Sequence, residues 1–185
     1  MTCARGDLLV VAATAREALP FQQAGLATVI SGVGRVNAAI ATTLALTERR
    51  ESPLVLSVGI CGALPTSAGP EVGDLLIGDR AVYAEEGILT PDGFQSIDTM
   101  GFPLARFVVD NSIPADESAL ARLQMIEPRA SVGAIATVAT CSGTDVLAVE
   151  IARRTGAVAE AMEGAAVLHA AAALGAPAIE VRSVS

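Results

Sequence analysis

The chain has 185 residues, the length of one domain with a sizeable core. Hydrophobic residues make up 52%, charged residues 17% and aromatic residues 3%. This composition excludes disorder and suits a sheet covered by close-packed, Ala-rich helices. With 12 basic against 20 acidic residues, a net charge of −8 and no lysine, the chain has no basic face for a nucleic acid. It also cannot use a Schiff-base lysine or a lysine-type phosphate loop.

Short continuous apolar runs predict strands buried on both faces at residues 8–13, 28–31, 54–58, 75–83, 132–138 and 178–184. Helices are expected between them at 15–23, 36–49, 145–154 and 164–174. Residues 85–103 are acidic and carry Pro91, Gly87, Gly93 and Gly101, which reads as a surface excursion. Residues 111–116 read as a loop. The alternation of strand and helix predicts an α/β domain with a mostly parallel or mixed sheet. The charge-free stretches 52–70 and 164–179 are interrupted or too short to cross a bilayer, so no membrane partner is expected. Arg5 and Asp7 precede the first run without a cleavage pattern, and no leader is expected. Cys3, Cys61 and Cys141 form no CxxC, and His169 is the only histidine. Reduced cytosolic thiols and no metal are expected.

Ligands of open α/β sheets bind where strands hand over to loops. Residues 14–17, 31–35, 59–63, 140–145 and 161–164 follow predicted strands and are rich in Gly, small residues or isolated acids. Ser31-Gly32-Val33-Gly34 can turn backbone N–H groups towards an anion. Asn37 stands where a dinucleotide fingerprint wants a third Gly. Thr14-Ala15-Arg16-Glu17 fits a capping box, yet Glu17 also ends a strand where it can activate water. Glu163 precedes the most apolar helix; the helix dipole explains it, and so does a grip on a ribose diol. Glu160 is its support or is exposed. Residues 142–145 read first as a loop and helix cap, and 72–74 as a turn into a strand. His169 reads as structural. Arg182, inside an apolar strand, needs an anion or carbonyl partner.

Taken in order along the whole chain, these segments resemble the nucleoside phosphorylase and nucleosidase superfamily. The resemblance rests on Glu17, Ser31-Gly32-Val33-Gly34-Arg35-Val36-Asn37-Ala38-Ala39, Gly59-Ile60-Cys61-Gly62-Ala63, Val72-Gly73-Asp74, Ser142-Gly143-Thr144-Asp145, Met162-Glu163-Gly164-Ala165 and Val181-Arg182-Ser183-Val184-Ser185. Within it, Glu86-Gly87-Ile88-Leu89-Thr90-Pro91-Asp92-Gly93-Phe94, Gly101-Phe102-Pro103 and Glu160-Ala161-Met162-Glu163 are similar to the futalosine hydrolase family. Methylthioadenosine/S-adenosylhomocysteine nucleosidases usually carry Glu-Met-Glu where this chain has Ala161-Met162-Glu163.

The resemblance implies a three-layer α/β/α fold with a mixed central sheet that curls towards a barrel, and a homo-oligomer. It implies cleavage of futalosine to hypoxanthine and dehypoxanthinyl futalosine by water, without metal or cofactor. Glu17 would handle the water, and Glu163 would hold the ribose with Met162 packed on it. Cys61, Gly62, Ser142, Gly143 and Thr144 would lie near the base. The substrate's far carboxylate would meet a cation, with Arg80, Arg106 and Arg182 as candidates. In the family the group that meets purine N7 follows the strand matched by residues 181–185. The expectation is therefore a single nucleosidase domain over 1–185, truncated before that group and its helix. A methylthioadenosine/S-adenosylhomocysteine nucleosidase, a phosphorolytic enzyme of the same fold and a non-catalytic binding module are the alternatives.

Overall fold

The computed structural model describes residues 8–67 and 69–185. In chain order the elements are β1 (Leu8–Ala12), α1 (Ala15–Gln23), β2 (Ala27–Ile30), α2 (Arg35–Thr47), β3 (Leu54–Ala63), β4 (Leu75–Tyr83), β5 (Gly87–Thr90) and β6 (Gly93–Ser96). They continue with β7 (Ser112–Pro114), α3 (Glu117–Ile126), β8 (Ser131–Thr137), α4 (Asp145–Thr155), β9 (Ala159–Ala161), α5 (Gly164–Ala173) and β10 (Ala178–Val184). Cys3 lies outside the described residues.

Strand β3 organises the sheet. Its first half pairs in parallel with β1, which pairs in parallel with β2. Its other edge pairs in parallel with β10 from Val55 to Cys61, and its last residues pair antiparallel with β9. From β10 the path runs antiparallel to β4, then in parallel through β8 to β9, and so returns to β3. The mixed sheet therefore closes into a ring of β3, β10, β4, β8 and β9, with β1 and β2 as a wing. All five ring strands contribute to the interior, through Cys61, Val184, Leu76, Ile135, Ala159 and Ala161.

Alternation along each strand sends neighbouring residues to opposite faces. Leu9, Val11 and Val55 meet α2 and α5 on one face. Val10, Ala12 and Val58 meet α1 on the other, and Ile77 and Ile179 meet α3. The result is three layers. Helix α5 reads Gly-Ala-Ala-Val-Leu-His-Ala-Ala-Ala-Ala and is buried on nearly every side, because a helix apolar all round can only be an inner one. Burying each large side chain such as Ile77 contributes about 1.5–3 kcal/mol.

Most predicted elements end within two residues of the observed ones, with five differences. The strand predicted at 54–58 runs on to Ala63, so residues 59–63 are strand and not a connecting turn. The partner β10 carries it through Gly59, where a side chain would collide with its neighbours. Residues 111–116 contain β7, which pairs with β4, and the excursion 85–103 contains the β5–β6 hairpin. Helix α3 and the three-residue β9 were not predicted. Asp116 caps α3 by accepting from Ala119 N at 2.8 Å, but only Ala119 of that helix is buried, so its apolar period is faint.

Candidate active site

Glu17 combines both of its sequence readings. Thr14 is the N-cap of α1, and Glu17 Oε2 accepts from Thr14 N at 3.0 Å and Thr14 Oγ1 at 2.7 Å. The other oxygen, Oε1, accepts from Ile60 N at 3.2 Å. The capping box thus ties Glu17 to the end of β1, and β3 receives its free side.

Glu163 stands between β9 and α5. Its Oε1 accepts from Gly34 N at 3.0 Å, and its Oε2 lies 3.4 Å from Arg182 Nη1. Arg182 is held from behind: Nε donates to Glu180 Oε1 at 2.7 Å, and Nη2 reaches Ser57 Oγ at 3.4 Å. Arg182 thus has the anionic partner its sequence position requires, and its side chain is 1% exposed. Two glycines make room. A Cβ on Gly59 would lie 2.5 Å from Arg182 Nη1 and 2.6 Å from Glu17 Oε1, and one on Gly164 would collide with the Glu180 carboxylate. Burial pushes the Glu180 carboxyl up, against the pull of the Arg182 guanidinium. Neither Glu180 nor Ser57 was singled out from the sequence. Glu180 was legible, since residues two apart on a strand share a face.

A cleft of about 410 Å³ brings Glu17, Cys61, Gly62, Ser142, Met162 and Glu163 together. Gly143 and Thr144 are not among its lining; both are exposed, and Thr144 caps α4 through Leu147 N. Glu160 also lines the cleft and is 5% exposed. It supports Ser142 and not Glu163: its Oε1 accepts from Ser142 N at 2.8 Å and Ser142 Oγ at 2.6 Å. Burial pushes the Cys61 thiol up to about 11, so it is protonated at neutral pH. Next to Gly34, Arg35 at the start of α2 pairs with Glu85 and Glu86, and Glu85 also accepts from Ala139 N. These contacts fasten the excursion to the loop after β8.

The cationic candidates lie elsewhere. Arg80 lines a separate cavity of about 440 Å³, with Phe94, Asn111 and Arg154. Arg106 is exposed and Arg182 is sealed below the floor. Among the described residues that line the cleft, none is a cation. His169 belongs to the packing: its Nδ1 lies 3.1 Å from Tyr83 Oη, and Phe107 stands edge-on to its ring. Among the described residues, no three or more His, Cys, Asp or Glu side chains group to hold a metal. No described helix is long and apolar enough to cross a membrane.

Residues 23–185 match the family model of the phosphorylase superfamily. The chain belongs to that superfamily. It is 36% identical to the futalosine hydrolase of Acidothermus cellulolyticus over 74% of this chain and 54% of that protein. It is 37% identical to the futalosine hydrolase of Streptomyces coelicolor over 84% of this chain and 64% of that one. A 5'-methylthioadenosine/S-adenosylhomocysteine nucleosidase of a Marinomonas species is 32% identical over 84% of this chain and 65% of its own length. The chain therefore spans between about half and two thirds of these relatives. The nucleosidase structure from S. pneumoniae superposes with a TM-score of 0.78 at 20% identity, covering 96% of this chain and 84% of that one. That likeness establishes the nucleoside phosphorylase-like α/β fold expected from the sequence.

Proposed function

We propose that this protein hydrolyses the N-glycosidic bond of futalosine, releasing hypoxanthine and dehypoxanthinyl futalosine. One observation carries the chemistry: Glu17 and Glu163, from opposite ends of the chain, line one cleft whose described walls hold no cation. Cleavage of a glycosidic bond passes through an oxocarbenium-like sugar, which carboxylates stabilise. Glu17, presenting Oε1 at the end of β1, takes a proton from water as the water attacks C1′. Glu163, fixed by Gly34 N and Arg182, accepts from the ribose hydroxyls, and Met162 packs against the sugar. The C1′–N9 bond breaks, the hydroxyl stays on C1′, and the base leaves with the bonding electron pair and takes a proton from solvent, to which Glu17 returns the one it took from water. Cys61, Gly62 and Ser142 flank the base.

The described lining carries three carboxylates, Glu17, Glu160 and Glu163, and no cation, which favours water over phosphate. The choice of futalosine rests on the likeness to the two futalosine hydrolases, 36% and 37% identical, against 32% for the Marinomonas nucleosidase. We also read the enzyme as a cytoplasmic homo-oligomer. The exposed stripe Val36, Ile40 and Leu44 on α2 supports the second part, and the unpaired Cys61 and Cys141 support the first.

The test is base release from futalosine, methylthioadenosine, S-adenosylhomocysteine and inosine, each with and without phosphate. Phosphate-independent release of hypoxanthine from futalosine, well above release from the others, is expected. Preference for methylthioadenosine would overturn the substrate, and a strict need for phosphate would overturn the reaction.

A further inference from the structure

Glu160 lines the cleft but has no part in the hydrolysis proposed above. It sits on β9 directly opposite Gly62 of β3, between the two segments that flank the base. One of its oxygens, Oε1, takes both Ser142 N–H and Ser142 Oγ–H. The other, Oε2, is buried and has no partner among the described residues. A serine hydroxyl carries one hydrogen and two lone pairs. Since that hydrogen points to Glu160, Ser142 Oγ turns only lone pairs to the cleft.

We propose that the Glu160–Ser142 pair is the specificity-determining element of this cleft, presenting the base with a hydrogen-bond acceptor and so selecting a 6-oxopurine over a 6-aminopurine. The inference rests on the reading that the cleft holds a purine nucleoside. A 6-oxopurine in its lactam form carries a hydrogen on N1 and donates it to Ser142 Oγ. A 6-aminopurine has a lone pair on N1, which would face another lone pair with a buried carboxylate behind it. Sites that hydrogen-bond one such group reject the analogue lacking it far more strongly than apolar pockets reject a change of size. Ser142 touches the base; Glu160 acts through it as a positioning residue.

The experiment compares futalosine with its 6-amino-6-deoxy analogue, which has the same sugar and differs only at the base edge. For the unaltered protein, kcat/KM should favour futalosine by roughly 100-fold or more. Glu160→Gln keeps an acceptor oxygen facing both Ser142 donors and should retain most of that preference. Glu160→Ala frees the hydroxyl to donate, and the preference should fall to within about tenfold. A purely structural Glu160 would instead lower both rates alike and leave their ratio unchanged, which would overturn the proposal. A measurement on the unaltered protein covers the case of a variant that fails to fold. By calorimetry, hypoxanthine should bind at least about tenfold more tightly than 1-deazahypoxanthine, in which a C–H replaces N1–H. Equal binding of the two bases would also overturn it. Futalosine hydrolysis with an unchanged ratio would remove this inference alone; no binding of any purine would remove the functional reading with it.

Discussion

The backbone N–H of Gly34 lies 3.0 Å from Glu163 Oε1, joining the turn before α2 to the start of α5 across most of the chain. The glycine-rich turn therefore does hold an anion, but that anion is the protein's own carboxylate. One oxygen of Glu163 is fixed by a neutral amide and the other by a buried guanidinium. The side chain keeps one orientation before any ligand arrives, which removes an ordering cost from binding.

Glu17 is both cap and candidate base, and the two roles separate in one variant. Glu17→Gln keeps an acceptor oxygen for Thr14 N and Oγ1, turns its amide nitrogen towards Ile60 N at the loss of that one hydrogen bond, and cannot take a proton. Base release should fall by roughly 100-fold or more. Ligand binding should stay near normal, and stability should drop by no more than about 1 kcal/mol. Measuring kcat, inhibitor affinity and unfolding midpoint on one preparation checks this. Near-normal turnover would remove Glu17 from the chemistry.

Gly59→Ala tests the close approach beneath the cleft. The new methyl would press on Arg182 Nη1 and Glu17 Oε1 together. A stability loss of about 1–3 kcal/mol is expected from overpacking. At least a tenfold fall in kcat/KM should accompany it, since a misplaced catalytic group costs that much or more. Gly73→Ala is the control: its φ of +98° makes alanine strained, yet its Cβ would meet nothing within 4 Å. That variant should lose stability and keep its activity.

Acid should weaken the fold through His169. Burial lowers the His169 imidazole below its ordinary value, so the unfolded chain takes up the proton first as pH falls. This contribution is present above about pH 6.5 and is lost as pH drops through the folded value. Denaturant midpoints for the native chain and His169→Gln, measured from pH 7.5 to 5, should converge towards acid. Parallel curves would show that His169 does not carry the effect.

Val36, Ile40 and Leu44 are each more than half exposed and lie at successive i, i+4 positions on α2. If they bury against a second copy, Ile40→Glu should shift sedimentation towards a lighter species and lower the thermal midpoint. An unchanged sedimentation profile would exclude α2 from the interface.

The strands of β1, β4, β8 and β10 were legible because continuous apolar runs have few other uses in a chain of this charge. Glu17 and Glu163 were legible as isolated acids at strand ends. What escaped the sequence is tertiary. Glu160 read as a support for Glu163 or as an exposed acid, and it is neither: β9 buries it and sends it across to Ser142. Gly59 looked like a strand end, and it proved to be the one site in β3 where Arg182 and Glu17 can close together. Thr144 caps α4, as its local sequence suggested, and the exposed side chain does not line the cleft near which the resemblance put it. Short motifs specify their local geometry well; which wall of a cleft they face is decided by pairing partners far along the chain.

The ring of strands has a consequence for how a nascent chain reaches its final form. Strand β10 is the piece that separates β3 from β4, so Ala178 must find Val55 before the circle exists. Contacts of such high sequence separation form slowly, because loop entropy is lost before pairing repays it. Until Arg182 emerges and docks, Glu163 has no cation behind it, and burying it would cost several kcal/mol. The inner helix α5 therefore has reason to stay undocked until β10 has been made, and it is β10 that decides when the carboxylates become a site.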